Sequence, residues 1–290
     1  MRAFEYAAPC SLDELFPLLG NGRRVRFLAG GTDIIVQLRE GRVECDLLVD
    51  VKRIPELRAL EIRPDGTLSI GAAVPCAEIY EHDELRRRWP ALVDAASLIG
   101  GTQIQSRASL GGNICNASPA ADSVPALIAL GARLVVAGPG GERELPIESF
   151  FRGPGQTVLQ PGEVLLRILV PPPSPRTGSR FLRFIPRNEM DIAVANAAAC
   201  LRLDGDGRIA EARLAVGAVA PTPLFIAEAS RLLSGQVPSD ELFSRVGELA
   251  AAAARPITDV RGSAMQRRHL ANVLTVRALR GALARAQEGS

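Results

Sequence analysis

Lysine occurs once in this chain, at Lys52, and histidine only at His82 and His269. Basic and acidic side chains number 34 and 32, a formal charge of +2, so no whole-molecule field draws nucleic acid or anionic lipid. No apolar run reaches the roughly 18 residues of a membrane span. Met1–Cys10 contains Glu5 and lacks the apolar stretch of a signal peptide. Cys10, Cys45, Cys76, Cys115 and Cys200 are odd in number, scattered and free of any CxxC pair. That usage points to reduced thiols in a cytoplasmic protein and away from a disulfide framework. A GxxxxGKS/T loop is absent and so is GxGxxG, which removes the Walker A and common Rossmann fingerprints. What remains is 290 residues, 47% apolar and 23% charged, enough for one large core or two ordinary ones.

The run Pro171-Pro172-Pro173-Ser174-Pro175-Arg176-Thr177-Gly178 breaks the chain, because proline fixes φ and removes amide donors. Upstream, apolar runs at Val25–Ala29, Leu47–Val51 and Arg133–Ala137 read as strands. Leu60–Ile62 and Leu68–Ile70 flank Pro64-Asp65-Gly66 as a hairpin. Ser11-Leu12-Asp13-Glu14 has capping-box spacing, with Leu15, Leu18 and Leu19 on one helical face, Pro17 within it and Gly20 at its end. Asp122 or Ser123 caps a helix through Leu130, closed by Gly131. Strands alternating with helices predict an α/β arrangement. Downstream, Ala193–Leu203 and Arg208–Val216 form a hairpin about Asp204-Gly205-Asp206-Gly207. Thr222-Pro223 predicts the start of a helix to about Leu233, and helices over Ser239–Ala254 and Met265–Ala286 follow.

Two glycine-bearing segments carry the functional information. Leu28-Ala29-Gly30-Gly31-Thr32-Asp33-Ile34-Ile35 joins a strand to a helical pattern. Glycine there lets main-chain amides approach a ligand closely, as a phosphate site needs. A tight turn with Asp33 as N-cap explains the same residues. The second segment, Ile99–Asp122, holds two Gly-Gly pairs among small, hydroxylic and amide residues and is predicted to be a long polar loop. Within an apolar domain such a loop must find partners for its backbone groups, and a polar ligand would provide them. A surface Ω-loop is the alternative. Trp89-Pro90 and Phe150-Phe151 read as core or hinge packing. Glu78–Arg88 reads as a solvated helix face, and the arginines from Arg255 to Arg285 as a solvated helix or a partner contact.

The two segments together resemble the FAD-binding subunit of the molybdenum hydroxylase family, which includes the carbon monoxide dehydrogenase medium subunit and the xanthine dehydrogenase FAD domain. Ala29–Asp33 is similar to the family's first FAD loop. The run Ile99-Gly100-Gly101-Thr102-Gln103-Ile104, Ala108–Asn113, Ala117-Ser118-Pro119 and Asp122 is similar to its second. Weaker pieces at Gly162–Leu166, Arg183–Arg187, Asp191–Ala193, Val219–Pro223, Asp259–Arg261 and Arg267-Arg268 keep the family order. Ile104-Gln105-Ser106-Arg107 departs from the arginine–asparagine pair of many relatives.

The resemblance implies an α+β chain with the vanillyl-alcohol-oxidase-type (PCMH-type) FAD fold. Residues 1–172 would form the FAD domain, with subdomains of about 1–55 and 56–172. Residues 178–290 would form a C-terminal domain with a three-stranded antiparallel sheet and helices. It also implies main-chain contacts to the FAD pyrophosphate around Gly30, Gly31, Thr32 and Asp33, joined by Ser109, Gly111, Gly112 and Asn113. Asn116, Ser118 and Asp122 would bond the ribityl and phosphate region. Val164 and Leu165 would pack on the adenine or the ring, with Arg183 near the flavin. Leu28, Ala29, Ile34, Ile104 and Cys115 complete the implied cofactor set. No Cys-rich insertion interrupts the second loop, so neither an iron–sulfur cluster nor another metal is expected here. Both histidines lie outside the flavin loops, so FAD is expected to be non-covalent. The implied partners are a large molybdopterin subunit, a small subunit with two [2Fe–2S] clusters and an external electron acceptor. Two rivals remain: a free-standing reductase of the UDP-N-acetylenolpyruvoylglucosamine type, and a non-catalytic nucleotide-binding scaffold.

Overall fold

A computed structural model describes residues 2–20 and 22–288; Met1, Asn21, Gly289 and Ser290 lie outside the described residues. The chain begins with β1 (Glu5–Ala7) and α1 (Leu12–Leu15). Ser11 Oγ accepts from the Glu14 amide (3.2 Å) while the Glu14 carboxylate accepts from the Cys10 amide (2.7 Å), so the predicted cap is reciprocal. Pro17 removes a donor, and the chain continues only as a 3-10 turn over Phe16–Leu19. β2 (Val25–Leu28), α2 (Ile34–Arg39) and β3 (Leu47–Asp50) complete a small parallel sheet in the order β1-β3-β2. Its strand ends at Leu28 and Asp50 are adjacent, so the first glycine loop leaves from the carboxyl edge.

After α3 (Pro55–Arg58), β4 (Leu60–Ile62) and β5 (Leu68–Gly71) form the expected hairpin, with Leu60 opposite Ile70. A helical stretch follows: α4 (Cys76–Tyr80), α5 (Asp83–Arg88), α6 (Pro90–Ala96), α7 (Thr102–Gln105), α8 (Leu110–Cys115) and α9 (Ser123–Ala129). β6 (Arg133–Gly138), β7 (Gly141–Pro146), the short hairpin β8 (Phe151–Gly153) and β9 (Gln156–Thr157), and β10 (Val164–Val170) complete this part. The order β4-β5-β10-β6-β7 makes an antiparallel sheet whose central strand is the last in sequence. Its core holds Leu68, Ile70, Leu134, Val136, Leu166 and Ile168 without solvent exposure. Trp89 and Phe150 are core residues too, and the Trp89 indole donates to Pro171 O at 2.8 Å.

No described helix or strand crosses Pro171–Arg176. Beyond it, β11 (Thr177–Phe184), β12 (Ala195–Leu203), β13 (Ile209–Gly217) and β14 (Leu224–Phe225) make an antiparallel sheet, so a fourth, two-residue strand joins the expected three. α10 (Ala227–Leu233), α11 (Asp240–Ala253) and α12 (Ala264–Glu288) cover one face. Small side chains on α6 and α9 (Ala91, Ala95, Ala126, Ala129) meet Phe181 and Ala198 of this sheet in a separate buried cluster. Helices with so little bulk lie close against the strands, and Phe181 fills the remaining space.

Three expectations need correction. Thr222-Pro223 does not open a helix: Leu224 and Phe225 pair with Val216 and Ala215, and the open sheet edge outcompetes the local N-cap signal. Ile99–Asp122 is not one irregular loop, because Gly101 and Ser109 start the short helices α7 and α8 within it. Glu78–Arg88 is split at Glu81-His82 into two helices.

Candidate functional site

The two glycine segments meet. An ideal Cβ on Gly30 would lie 1.9 Å from Arg107 O and 2.4 Å from Arg107 C, so only glycine lets these backbones touch. Gln37 Nε2 on α2 donates to Asn116 Oδ1 at 3.0 Å, a second tie between the segments. Gly111 is pressed against the chain on its other side, where a Cβ would sit 2.3 Å from Ala72 O. The Cys76 amide donates to Ala108 O (2.8 Å) and holds the approach to α8. Ser109 caps that helix, its Oγ accepting from the Gly112 amide at 3.0 Å.

Donors accumulate where the segments meet. Among the described residues, the amides of Gly30, Gly31, Thr32 and Asp33 donate to no protein acceptor. The same holds for Gly111, which is buried. Gly30, Gly31 and Thr32 are half-buried and Asp33 is exposed, so this row of free donors remains open to an acceptor-rich ligand such as a diphosphate, and the buried Gly111 amide needs such a partner most. Asp33 and Cys115 lie one on each segment; both are solvent-exposed, yet burial raises the Asp33 carboxyl and pushes the Cys115 thiol up to about 12.

The remaining expected residues separate into groups. Ile104 is half-buried beside Gly100, whose φ is +65°. Asn113 Oδ1 turns to α9 and accepts from Ser123 Oγ (2.7 Å), and Ser118 Oγ accepts from the Ala120 amide (3.3 Å). Leu28 and Ile34 pack on Leu38, Cys45 and Leu48 beneath the parallel sheet. Val164 and Leu165 are 4% and 2% exposed at the start of β10, so the structure sets both in the core. Asp33 and Asp122 occupy N-cap positions, but neither side chain makes a capping bond.

Asp122 has other partners. Its Oδ2 accepts from Arg183 Nη1 at 2.5 Å and its Oδ1 from Asn196 Nδ2 at 3.2 Å. The ion-paired side chains are only 6% and 8% exposed, and burial raises the Asp122 carboxyl against the pull of Arg183. Arg267 is buried as well, donating to Val194 O (2.7 Å), Ala218 O (3.1 Å) and Asp259 (2.8 Å). Sequence reading placed it on a solvated helix or a partner surface; it is internal. Gln37, Arg107 and Asn196 escaped attention, since no local pattern marks a residue whose partner is about 80 positions away.

Two apposed amide-rich segments, between a small parallel sheet and a larger antiparallel one, define a PCMH-type FAD-binding flavoprotein. Residues 2–173 match the FAD-binding domain of molybdopterin dehydrogenases, and residues 180–282 match the CO dehydrogenase flavoprotein C-terminal domain. The chain is 34% identical over 282 residues to the xanthine dehydrogenase FAD-binding subunit of Escherichia coli O157:H7, covering 97% of this chain and 96% of that one. It is also 34% identical to the carbon monoxide dehydrogenase medium chain of Hydrogenophaga pseudoflava, covering 97% and 98%. A solved structure of that organism's carbon monoxide dehydrogenase superposes with a TM-score of 0.93 at 33% identity, covering 98% of each chain. Quinoline 2-oxidoreductase from Pseudomonas putida 86 gives 0.90 at 30% identity, covering 99% and 98%. The chain therefore belongs to the FAD-binding subunit family of the molybdenum-containing oxidoreductases, and FAD is its cofactor.

Proposed function

We propose that this chain is the electron-exit subunit of a molybdenum hydroxylase complex. In this reading it takes electrons from the [2Fe–2S] clusters of a small partner subunit and delivers them through FAD to an external acceptor. A separate large molybdopterin subunit oxidises the substrate. The observation that carries the reading is the meeting of Gly30 with Arg107, which brings the unpaired amides of both segments together.

The chain's own contribution is binding and orientation. Amides of Gly30–Asp33 and Gly111 would hold the diphosphate, with Ser109 keeping the Gly112 turn in place and Asn116 fixed by Gln37. FAD, when bound, supplies the ability to accept electrons singly and release them in pairs. His82 precedes α5 and His269 lies within α12, neither of them in the two glycine segments, which supports a cofactor held without a histidyl bond. Neither the free-standing reductase nor the scaffold reading gains support from the relatives. The test is direct. Purified full chain, alone or with copurifying subunits, is expected to take up one FAD, to bleach with dithionite and to release intact FAD on acid denaturation. A preparation that takes up no flavin and whose melting temperature FAD leaves unchanged overturns the reading.

A further inference from the structure

The end of the second segment is held from behind by the C-terminal part of the chain. From there the Ala218 amide donates to Pro119 O at 2.7 Å, while Gly155, within the first part of the chain, donates its amide to Ala117 O at 3.0 Å. Ala117 has φ 47° and Ala218 has φ 62°, left-handed conformations that a non-glycine residue keeps only where its surroundings impose them. One imposing group is Arg267, which donates to Ala218 O. Asp122, at the end of the same turn, is held from this side too: its two carboxylate oxygens accept from Arg183 of β11 and Asn196 of β12. Arg183 is almost wholly buried, with its Nη1 on Asp122 and its Nε buried without a partner.

We propose that Arg183 is a positioning residue for the flavin site, acting through Asp122 to fix the Ala117–Asp122 turn rather than by touching the cofactor. The inference rests on the FAD-subunit reading and assigns one step within it. An arginine neutralising the cofactor diphosphate would need an exposed guanidinium beside the unpaired amides. The structure instead gives a buried pair with one donor and one acceptor from different halves of the chain. Asn113, bonded to Ser123, and Asn116, bonded to Gln37, sit upstream of the same turn, so releasing Asp122 loosens the segment that presents them.

Arg183→Met, Asp122→Asn and the double variant separate the possibilities, with FAD affinity and melting temperature measured on the full chain. Each single variant leaves one buried charge alone and is expected to melt lower and bind FAD at least about tenfold more weakly. The double variant removes both charges, and such replacements commonly restore stability. It is expected to melt near the wild type while keeping the tenfold loss of affinity, with no added salt dependence. A double variant that regains wild-type affinity along with its melting temperature makes the pair purely architectural and overturns the proposal. So does a folded Asp122→Asn chain that binds FAD as tightly as the wild type while Arg183→Met does not, because Arg183 would then act directly. If the double variant fails to fold, Arg183→Lys, which keeps a cation on Asp122, is expected to bind within about threefold of the wild type; a tenfold loss there overturns the proposal. Failure of the wild-type chain itself to bind FAD strikes the proposed function instead.

Discussion

Gly30 shows how one side chain's absence joins distant parts of a sequence. With Arg107 O at 1.9 Å from its ideal Cβ, Gly30→Ala must push the two segments apart. FAD affinity is expected to fall at least tenfold, about 1.4 kcal/mol or more, in a titration of the purified variant. Unchanged affinity would show that the contact does not build the site. Cys115 offers a second check. Its thiol is exposed but pushed up to about 12, so near neutral pH it is almost entirely protonated. Alkylation at Cys115, followed by peptide mass spectrometry, should therefore accelerate about tenfold per pH unit through pH 10 without levelling off, and FAD should slow it. Levelling off at about pH 9 to 10 would mean an ordinary surface thiol. At this scale the glycines and small polar residues of both segments were legible in the sequence, because few structural demands explain them together. Asp122 and Arg183 were each singled out by the family resemblance, but not as partners of one another. Their pairing depends on bringing α9 against β11, which no local pattern reveals.

Among the elements, those fixed by short-range chemistry were the readable ones. The Ser11 cap, the hairpin about Asp65-Gly66 and the Asp204–Gly207 turn each place their turn or cap residues within a few positions. Elements decided by tertiary pairing were misread. β14 is two residues long and exists because the edge of β13 is open, whereas Thr222-Pro223 looks locally like a helix start. α8 is similar: two glycines in its first turns oppose helix formation, and the Ser109 cap with packing against Ala72 overcomes them. Ser109→Ala should accordingly cost about 1 kcal/mol in urea denaturation and weaken FAD binding, since the Gly112 turn loses its tie. A variant with wild-type stability would show that packing alone holds α8.

Across the whole molecule, acidic residues of the first part meet arginines of the second. Asp94 accepts from Arg285 through both Nη atoms (2.7 and 3.0 Å) and from Arg180 (3.3 Å), and Glu148 accepts from Arg213 (3.1 Å). With Asp122–Arg183 these contacts surround the alanine cluster between α6, α9 and the C-terminal sheet. The two parts should thus unfold together, giving one urea transition by both fluorescence and circular dichroism; two separated transitions would refute this. Asp94→Ala, which takes a partner from two part-exposed arginines, is expected to cost about 1 to 2 kcal/mol, between the ranges for exposed and buried pairs. None of these pairings could be read from composition, since the arginines are distributed along the whole chain. α12 is fastened at both extremities, by Arg267 to the backbone of Val194 and Ala218 and by Arg285 to Asp94. Its 25 residues make a rod of about 37 Å. A rod pinned this way cannot pivot about either end without tearing one attachment. A shift of the turn beneath Ala218 would therefore reach Asp94 on α6 as a slide along the rod's axis, making the longest described helix a ruler between that turn and α6.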